Sequence, residues 1–353
     1  MPLIDYYNHR GIVLDVDLAA PPGERWKEAA ECIAPEVNQL VLDVVTWCRN
    51  GLPREWPPWL RLVAEAAVRG AADFAGRSVG FAAGLLGQEY AREVRCIAKA
   101  ADVSYPQLVL ANVMYDIAEI WHWLYPSACS SYSCSLPSGE PILCRTLDWG
   151  VPEGLGKYTV LVVYHRGKRQ YVSVGLIGFV GVLSAMRPGA WAVALNQAPS
   201  RKIPFRAIQI PACVRLRSIC DVAQKYGTIV ERMKKAQRVS PFFVHIIGTE
   251  RQEQTVIRSL GGRFRQRKLD DSFIIQTNHF VSEDSEDLND LSKSYHHSRA
   301  RYRALRRRLR YRLPDTVDKA QRKLKRWPVN NERTIQIVSF CPATGDVRVK
   351  YRP

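Results

Sequence analysis

The spacing of apolar residues changes near residue 128, and this change restricts the folds that the chain can adopt. Before it, the strand-like run GIVLDVDL is followed by long stretches with apolar residues at helical spacing. After it, short strand-like runs such as PILCRTLDW and YTVLVVYHR alternate with glycine and proline turns. A mainly helical portion followed by a strand-rich portion predicts an α+β fold.

The strand-rich portion is predicted to contain helices as well. Residues 212–236 and the very basic residues 287–325 have helical patterns, and strand-like runs separate them. The last run, RTIQIVSFCPATGDVRVKYR, is typical of a hairpin that turns at Ala-Thr-Gly-Asp. We therefore expect two portions, residues 1–128 and residues 129–353, with the boundary at a cluster of cysteines.

The composition excludes several classes of protein. The chain of 353 residues is 46% hydrophobic and 24% charged, as ordinary globular proteins are. Its longest apolar stretches are too short to span a bilayer, and its first residues lack a secretory signal pattern. Nine cysteines, an odd number, do not suit a small secreted disulfide scaffold, and no Asn-x-Ser/Thr sequon occurs. We expect a cytoplasmic protein with reduced thiols.

The cysteine cluster lies in SACSSYSCSLPSGEPILCRTLDWG, which holds Cys129, Cys134 and Cys144, followed by Arg145 and Asp148. A metal site is not expected, because the cysteines lack Cys-x-x-Cys spacing and no second cluster follows. A disulfide between the first two would close a very small loop in a reducing compartment. Cys134 and Cys144 lie in strand-like runs, where free cysteines commonly pack as small apolar side chains.

Cys129 has a different setting. If the chain from Cys129 to Arg145 forms a hairpin that turns near Ser138-Gly139, the two ends come close together. A guanidinium beside a thiol favours the thiolate, which is the reactive form. Asp148 would then orient an amine, or it would form a structural ion pair with Arg145.

Several motifs occur in the order that is found in one family. Cys129, followed by two serines, has Arg at +16 and Asp at +19, within Arg-x-Leu-Asp-Trp. The other matching segments are VLDVDLAAPPGERWKEAA, LANVMYDI, GFVGVLSAMRPGAWAVALNQ, SFIIQTNHF and RTIQIVSFCPATGDVRVKYR. Together they resemble the choloylglycine-hydrolase (linear amide C–N hydrolase) family of N-terminal-nucleophile hydrolases. Within it, they are most similar to the acid ceramidases and the N-acylethanolamine-hydrolysing acid amidases.

The resemblance implies a fold and an activation step. It implies an αββα sandwich that starts at Cys129, preceded by a helical propiece or α-subunit, residues 1–128. Self-cleavage between Ala128 and Cys129 would leave the first portion as a partner fragment. The thiol of Cys129 would be the nucleophile, and its freed α-amine, with an ordinary pKa of about 7.7–8.0, would be the general base.

The resemblance also implies roles for four further residues. Arg145 and Asp148 would hold and polarise the amine–thiol pair. Asn196 and Asn278 would donate hydrogen bonds to the oxyanion of the tetrahedral intermediate. Without the family context, both asparagines are more simply interpreted as turn residues at strand ends. No metal and no organic cofactor is implied.

The implied reaction is hydrolysis of a linear N-acyl amide through a thioester acyl-enzyme. The expected substrate is lipid-like, such as an N-acylethanolamine or a ceramide. One alternative keeps the thioester but passes the acyl group to an amine, as an acyltransferase does. The other is a non-enzymatic protein that binds a membrane or nucleic acid through a basic segment.

That basic segment is residues 299–312, which hold eight arginines. Without them the formal net charge of +17 falls to about +9. The late arginine of the family falls here, and Arg301 is favoured over Arg299 because an aromatic residue follows it. The rest of the segment is either a solvated helix face or a helix that lies on an anionic membrane surface. Nucleic-acid binding ranks last, since no nucleic-acid-binding fold accompanies the arginines.

Overall fold

The computed structural model of the chain describes residues 11–51, 80, 84, 86–120, 128–149, 154–198, 210–236, 241–260, 263–269, 271–281 and 297–352. Within these residues, helices and mainly antiparallel strands are combined in one fold. The α+β class predicted from the spacing of apolar residues is confirmed.

The first portion of the chain forms one strand and four helices within the described residues. They are β1 (Ile12–Asp17), α1 (Lys27–Cys32), α2 (Ala34–Gly51), α3 (Gln88–Ala100) and α4 (Tyr105–Ile120). Strand β1 pairs in parallel with a strand of the second portion, so the first portion contributes directly to a core sheet. The part of the predicted helical stretch between residues 57 and 79 lies outside the described residues.

The larger sheet has eight strands in the described part of the chain. In spatial order they are β1, β4 (Thr159–Arg166), β5 (Arg169–Leu176), β6 (Ser184–Arg187), β7 (Trp191–Gln197), β8 (Phe242–Ile247), β9 (Gln254–Leu260) and β10 (Arg263–Lys268). All neighbouring strands other than β1 and β4 are antiparallel. Antiparallel neighbours need only a short connection, whereas the parallel pair is joined through the helices of the first portion.

The smaller sheet contains the cysteine cluster. Its described strands are, in spatial order, β11 (Phe273–Gln276), β2 (Ala128–Ser135), β3 (Pro141–Asp148), β12 (Thr334–Cys341) and β13 (Asp346–Tyr351). Strands β2 and β3 form the expected hairpin, with Cys129 opposite Leu147. Gly139 lies in its turn with a φ of 106°, a conformation that glycine adopts without steric cost. Strands β12 and β13 form the predicted closing hairpin.

The two sheets pack face to face, and helices cover their outer faces. Between the sheets lies an apolar layer to which both contribute, including Leu143, Phe340, Val174 and Met186. The helices not yet introduced are α5 (Ala212–Cys220), α6 (Tyr226–Lys234), α7 (Ser298–Tyr311) and α8 (Val317–Leu324). Helices α1 to α6 share an apolar core with the larger sheet, and α7 and α8 share one with the smaller sheet. The layers follow the expected αββα order.

Within the described residues, the two predicted helical regions of the second portion each contain two helices. Residues 212–236 hold α5 and α6, and the basic region 287–325 holds α7 and α8. Residues 287–296 of that region lie outside the described residues. Among the helices of the described residues, none has the length and the apolar composition that a membrane span requires.

A buried carboxylate joins the first portion to the second. Glu93, on α3, is fully buried and accepts a hydrogen bond from Nε1 of Trp26 at 2.8 Å. It also forms ion pairs with Arg25 at 2.9 Å and with Arg217 of α5 at 3.3 Å. Because α3 and α5 belong to different portions, this cluster fixes the helices of the first portion against the core.

The Glu93 cluster predicts a large loss of stability when the carboxylate is removed. Glu93→Ala leaves buried donors of Trp26 and Arg217 unpaired, so we expect the free energy of unfolding to fall by about 3–5 kcal/mol. Glu89→Ala is the matched control, because Glu89 pairs with the same Arg25 but is half-exposed. For Glu89→Ala, the free energy of unfolding should fall by less than about 1 kcal/mol. Urea unfolding followed by tryptophan fluorescence measures both, and equal losses would contradict the role of Glu93.

Candidate active site

Cys129 lies on β2 with a fully buried side chain. Its sulfur accepts a hydrogen bond from Nη2 of Arg145, on β3, at 3.2 Å. Since Cys129 is opposite Leu147, Arg145 lies two residues away along β3, and its side chain is on the same face of the sheet. The thiol and the guanidinium, which the hairpin pattern predicted to be close, are adjacent.

Arg145 reaches from the smaller sheet to the larger one. Its Nη1 donates to Oγ of Ser184 at 3.0 Å, and its Nη2 donates to the carbonyl oxygen of Leu195 at 3.0 Å. Arg145 is only 1% exposed, so water screens its charge very little. A cation fixed at this distance stabilises negative charge that develops on the sulfur of Cys129.

Two residues from outside the hairpin bind the backbone of Cys129. Its N–H donates to Oδ1 of Asn278 at 2.8 Å, and its carbonyl oxygen accepts from Nη1 of Arg301 at 2.5 Å. Arg301 also donates to the same Oδ1 of Asn278 at 2.9 Å and to Oγ of Ser130 at 2.7 Å. The nitrogen that self-cleavage would convert into an α-amine therefore already faces a carboxamide oxygen.

Asp148, at the end of β3, lies next to Arg301. Its carboxylate accepts from Oγ1 of Thr334 at 2.7 Å and from Nδ2 of Asn331 at 3.3 Å, and Nη1 of Arg301 is 3.9 Å away. Burial raises the pKa of Asp148 above its ordinary value, although Arg301, Thr334 and Asn331 oppose this shift. Burial also lowers the pKa of Arg301, although Asp148 opposes it. For both groups, burial therefore shifts the pKa more than their pairing does.

Asn196, on β7, belongs to a polar network between the sheets. Its Nδ2 donates to Oγ of Ser131 at 3.1 Å and to the carbonyl oxygen of Gln276 at 3.0 Å. Oγ of Ser131 is also 3.2 Å from Nδ1 of His245, whose Nε2 is 2.8 Å from Oγ of Ser133. Oδ1 of Asn196 is buried without a hydrogen-bond partner in the described part of the chain.

The structure brings the predicted site residues together to different degrees. Those in direct hydrogen-bond contact with Cys129 are Arg145, Asn278 and Arg301. Asp148 lies one contact further away, through Arg301, and Asn196 is linked to β2 through Ser131. Arg299, the alternative to Arg301, is exposed on the outer face of α7.

The residues that hold the predicted site side chains in place were not themselves predicted from the sequence. Ser184 binds Arg145, while Thr334 and Asn331 bind Asp148. Ser298, the first residue of α7, accepts from the backbone N–H of Asn278 at 3.0 Å. Ser184 and Thr334 lie inside segments that carry the family resemblance, so a search of those segments for hydroxyl groups would have found them. Nothing in the sequence marks Asn331 or Ser298.

The other two cysteines of the cluster lie in the apolar core between the smaller sheet and its helices. Burial raises the pKa of Cys144 to about 11 and raises that of Cys134 well above its ordinary value. Both thiols therefore stay protonated at neutral pH. The described residues include no group of three His, Cys, Asp or Glu side chains that could hold a metal ion.

An apolar cavity of about 40 Å³ lies between α2, α4 and the larger sheet. Its lining includes Leu40, Leu108 and Trp149. Trp149 directly follows β3, and Cys129 belongs to the same apolar cluster as these residues. The volume suits about one or two water molecules, so an acyl chain would enter only if the surrounding side chains moved.

The four layers, with a buried cysteine at the start of the central hairpin, form an αββα sandwich. A solved structure has the same fold: the N-acylethanolamine-hydrolyzing acid amidase (NAAA) ortholog of Caenorhabditis elegans superposes with a TM-score of 0.54. It is 19% identical in sequence, and the superposition covers 64% of this chain and 100% of that chain.

The sequence is also related to amidases and ceramidases. The N-acylethanolamine-hydrolyzing acid amidase of Caenorhabditis elegans is 22% identical over 252 residues, 69% of this chain and 66% of the relative. A probable acid ceramidase of the same organism is 25% identical over 199 residues, 52% of this chain and 44% of the relative. Acid ceramidase of Mus musculus is 21% identical over 196 residues, again 52% and 44%.

These matches span just under two thirds of the first relative and less than half of the ceramidases. No family model matches the chain. The chain is a homologue of the N-acylethanolamine-hydrolysing acid amidases and the acid ceramidases, so the predicted family resemblance is confirmed.

The buried histidine of the Asn196 network predicts a loss of stability in acid. Burial, with a smaller contribution from Arg267, lowers the pKa of His245 to about 3. The unfolded chain takes up this proton near pH 6.5 and the folded chain only near pH 3, so stability falls as the pH decreases between these values. Between about pH 7.5 and about pH 5, His245 should account for a loss of about 2 kcal/mol.

Urea unfolding of the wild type and of His245→Gln across this range measures the effect. We expect a shallower pH dependence in the variant, because glutamine binds no proton in either state. Parallel curves for the two proteins would show that His245 does not couple stability to pH.

Proposed function

We propose that the chain is a cysteine N-terminal-nucleophile amidase that hydrolyses a linear N-acyl amide after self-cleavage between Ala128 and Cys129. One observation carries this proposal: the sulfur and the backbone nitrogen of the same buried residue have separate, fixed partners. Arg145 binds the sulfur, and Asn278 binds the nitrogen. A cysteine that only fills space needs neither contact.

The proposed activation begins with attack of the Cys129 sulfur on the carbonyl carbon of Ala128. A C–S bond forms, the peptide C–N bond breaks, and the nitrogen takes up the proton of the thiol. The resulting thioester is hydrolysed by water, which releases the carboxylate of Ala128 and restores the thiol. Ala128 is fully buried and lies opposite Asp148 in the hairpin, so β2 and β3 hold the scissile bond in one orientation.

In the proposed catalytic cycle, the freed α-amine of Cys129 takes the thiol proton as the sulfur attacks the substrate amide. An α-amine titrates at about pH 7.7–8.0, which suits a base that must also return the proton to the leaving amine. Oδ1 of Asn278 orients this amine, and Arg145 stabilises the thiolate. Water then hydrolyses the thioester acyl-enzyme and releases a carboxylic acid.

In the proposed mechanism, the side-chain amides of Asn196 and Asn278 donate hydrogen bonds to the oxyanion of the tetrahedral intermediate. Both are fully buried, where neutral amide donors stabilise developing charge most strongly. In the uncleaved chain, Nδ2 of Asn278 donates to the carbonyl oxygen of Gln197 at 3.1 Å, and Nδ2 of Asn196 is also occupied. Each Nδ2 would have to break its present hydrogen bond before it could donate to the oxyanion of the substrate.

The proposed substrate is a fatty acyl amide such as an N-acylethanolamine or a ceramide. The names of the homologues support this class. The apolar cavity beside Trp149 would take the acyl chain of such a substrate only after the side chains that line it moved apart. The shared apolar core and the Glu93–Arg217 ion pair would keep residues 1–128 bound after cleavage.

Intact mass spectrometry tests the proposed activation. Wild-type protein incubated from mildly acidic to neutral pH should give two fragments that meet at Ala128–Cys129. Cys129→Ala should stay uncut, since the attacking sulfur is absent. The cleaved wild type should also release free fatty acid from an N-acylethanolamine, while the uncut variant should release none.

Cys134→Ala is the matched control, because Cys134 lies on the same strand but is a protonated, packed thiol. It should be cleaved at the wild-type position. Cleavage of Cys129→Ala, or an uncut wild type under all conditions, would contradict the proposed role of Cys129.

A further inference from the structure

The outer face of α7 presents a group of arginines that have no acidic partner among the described residues. This arginine face consists of Arg299, Arg303, Arg306, Arg307 and Arg310, all exposed. Three of them follow one another at four-residue spacing, so they form a row along the helix, which Tyr311 continues. In the described part of the chain, none of the five has a carboxylate within ion-pairing distance, whereas the next arginine, Arg312, pairs with Asp315.

The inner face of α7 is occupied by the protein itself. Ala304, Leu305 and Leu309 are buried in the apolar core against the smaller sheet, and Arg301 reaches Cys129. The leucines between the arginines therefore do not face outward, as a helix that inserts into a membrane would require. A partner of α7 would meet the arginine face alone.

Further positive charge lies beside the arginine face. Arg308 donates to the carbonyl oxygens of Arg326 at 3.2 Å and Trp327 at 2.8 Å, which brings the segment after α8 against α7. Burial lowers the pKa of Arg308, and the neighbouring charges of Arg326 and Arg307 lower it further. Cations that repel one another in this way are stabilised when a partner supplies negative charge.

Two exposed aromatic side chains flank the arginines. Tyr311 is 89% exposed at the end of α7, and Trp327 is 67% exposed, with its ring 6.0 Å from that of His297 at the start of α7. The ring of Trp327 therefore lies near the start of α7, and Tyr311 is at its end. Tyrosine and tryptophan are the side chains that favour the interface between water and lipid.

We propose that the arginine face, together with Tyr311 and Trp327, docks the protein on a surface of anionic phospholipid. Guanidinium groups bind phosphate through charge-assisted hydrogen bonds, and the aromatic rings lie at the level of the headgroups. The choice of lipid over nucleic acid rests on the proposed function, because a fatty acyl amide is held in membranes. Docking would place the lipid surface about one helix diameter, about 10 Å, from the inner face that carries Arg301.

Co-sedimentation of the full chain with vesicles tests the proposal. The vesicles contain phosphatidylcholine alone or mixed with phosphatidylserine, and a single-stranded oligonucleotide is tested in parallel. The wild type should bind only the mixed vesicles, more weakly at high salt. The triple variant Arg303→Gln/Arg307→Gln/Arg310→Gln should bind them about 100-fold more weakly, and the corresponding glutamate variant more weakly still. Circular dichroism checks that both variants keep their helices.

A matched triple variant separates local from overall charge. Lys168→Glu/Arg169→Glu/Arg251→Glu changes the formal charge by the same amount as the glutamate variant, at exposed positions in or beside turns of the larger sheet. It should keep most of the wild-type binding. The proposal would be overturned if the control variant and the glutamate variant of the arginine face lost vesicle binding equally. Binding of the oligonucleotide in place of the vesicles would also overturn it.

Activity measured in the same preparations tests the proposed function separately. Cleavage at Ala128–Cys129 and hydrolysis of a water-soluble, short-chain amide need no lipid surface. The variants of the arginine face should therefore retain both. If the wild type binds anionic vesicles but lacks both activities, the proposed function fails and the docking surface stands.

Discussion

The antiparallel register of β2 against β3 places all the groups around Cys129. With Cys129 opposite Leu147, the thiol and Arg145 project from one face of the hairpin, toward the larger sheet. Ser130 and Asp148 project from the other face, toward α7 and Arg301. A shift of one residue would exchange the two faces and separate the thiol from its guanidinium. The site therefore depends on this pairing before it depends on any single side chain.

Two guanidinium groups bind this one cysteine, and both are removed from water. Arg145 is 1% exposed and binds the sulfur, while Arg301 is 0% exposed and binds the carbonyl oxygen. Burying a cation costs several kcal/mol even when it is paired, and apolar side chains of similar size often give a more stable core. A fold that keeps two buried cations at a single residue tolerates this cost, and the result is positive charge placed at the sulfur and at the backbone carbonyl of Cys129.

Much of this arrangement follows from local patterns, and the rest depends on long-range packing. Alternating apolar residues predict the hairpins, and the hairpin spacing predicts the contact between Cys129 and Arg145. Residues three apart on a strand face opposite ways, which explains why Asp148 meets Arg301 and not Arg145. In α7, helical periodicity turns Leu305 away from the arginines, into the core, which composition alone does not reveal. The contacts of Thr334 and Asn331 with Asp148 join segments almost two hundred residues apart, and no local pattern encodes them.

The central claim is that Cys129, as the new N-terminus, forms the acyl-enzyme. The most direct test is to treat the purified protein with a fatty-acyl β-lactone, which acylates an activated nucleophile, and to locate the adduct by peptide mass spectrometry. We expect one acyl group per chain, attached to Cys129 in the fragment that begins at this residue. An adduct on Cys134 or Cys144, or on the fragment of residues 1–128, would contradict it.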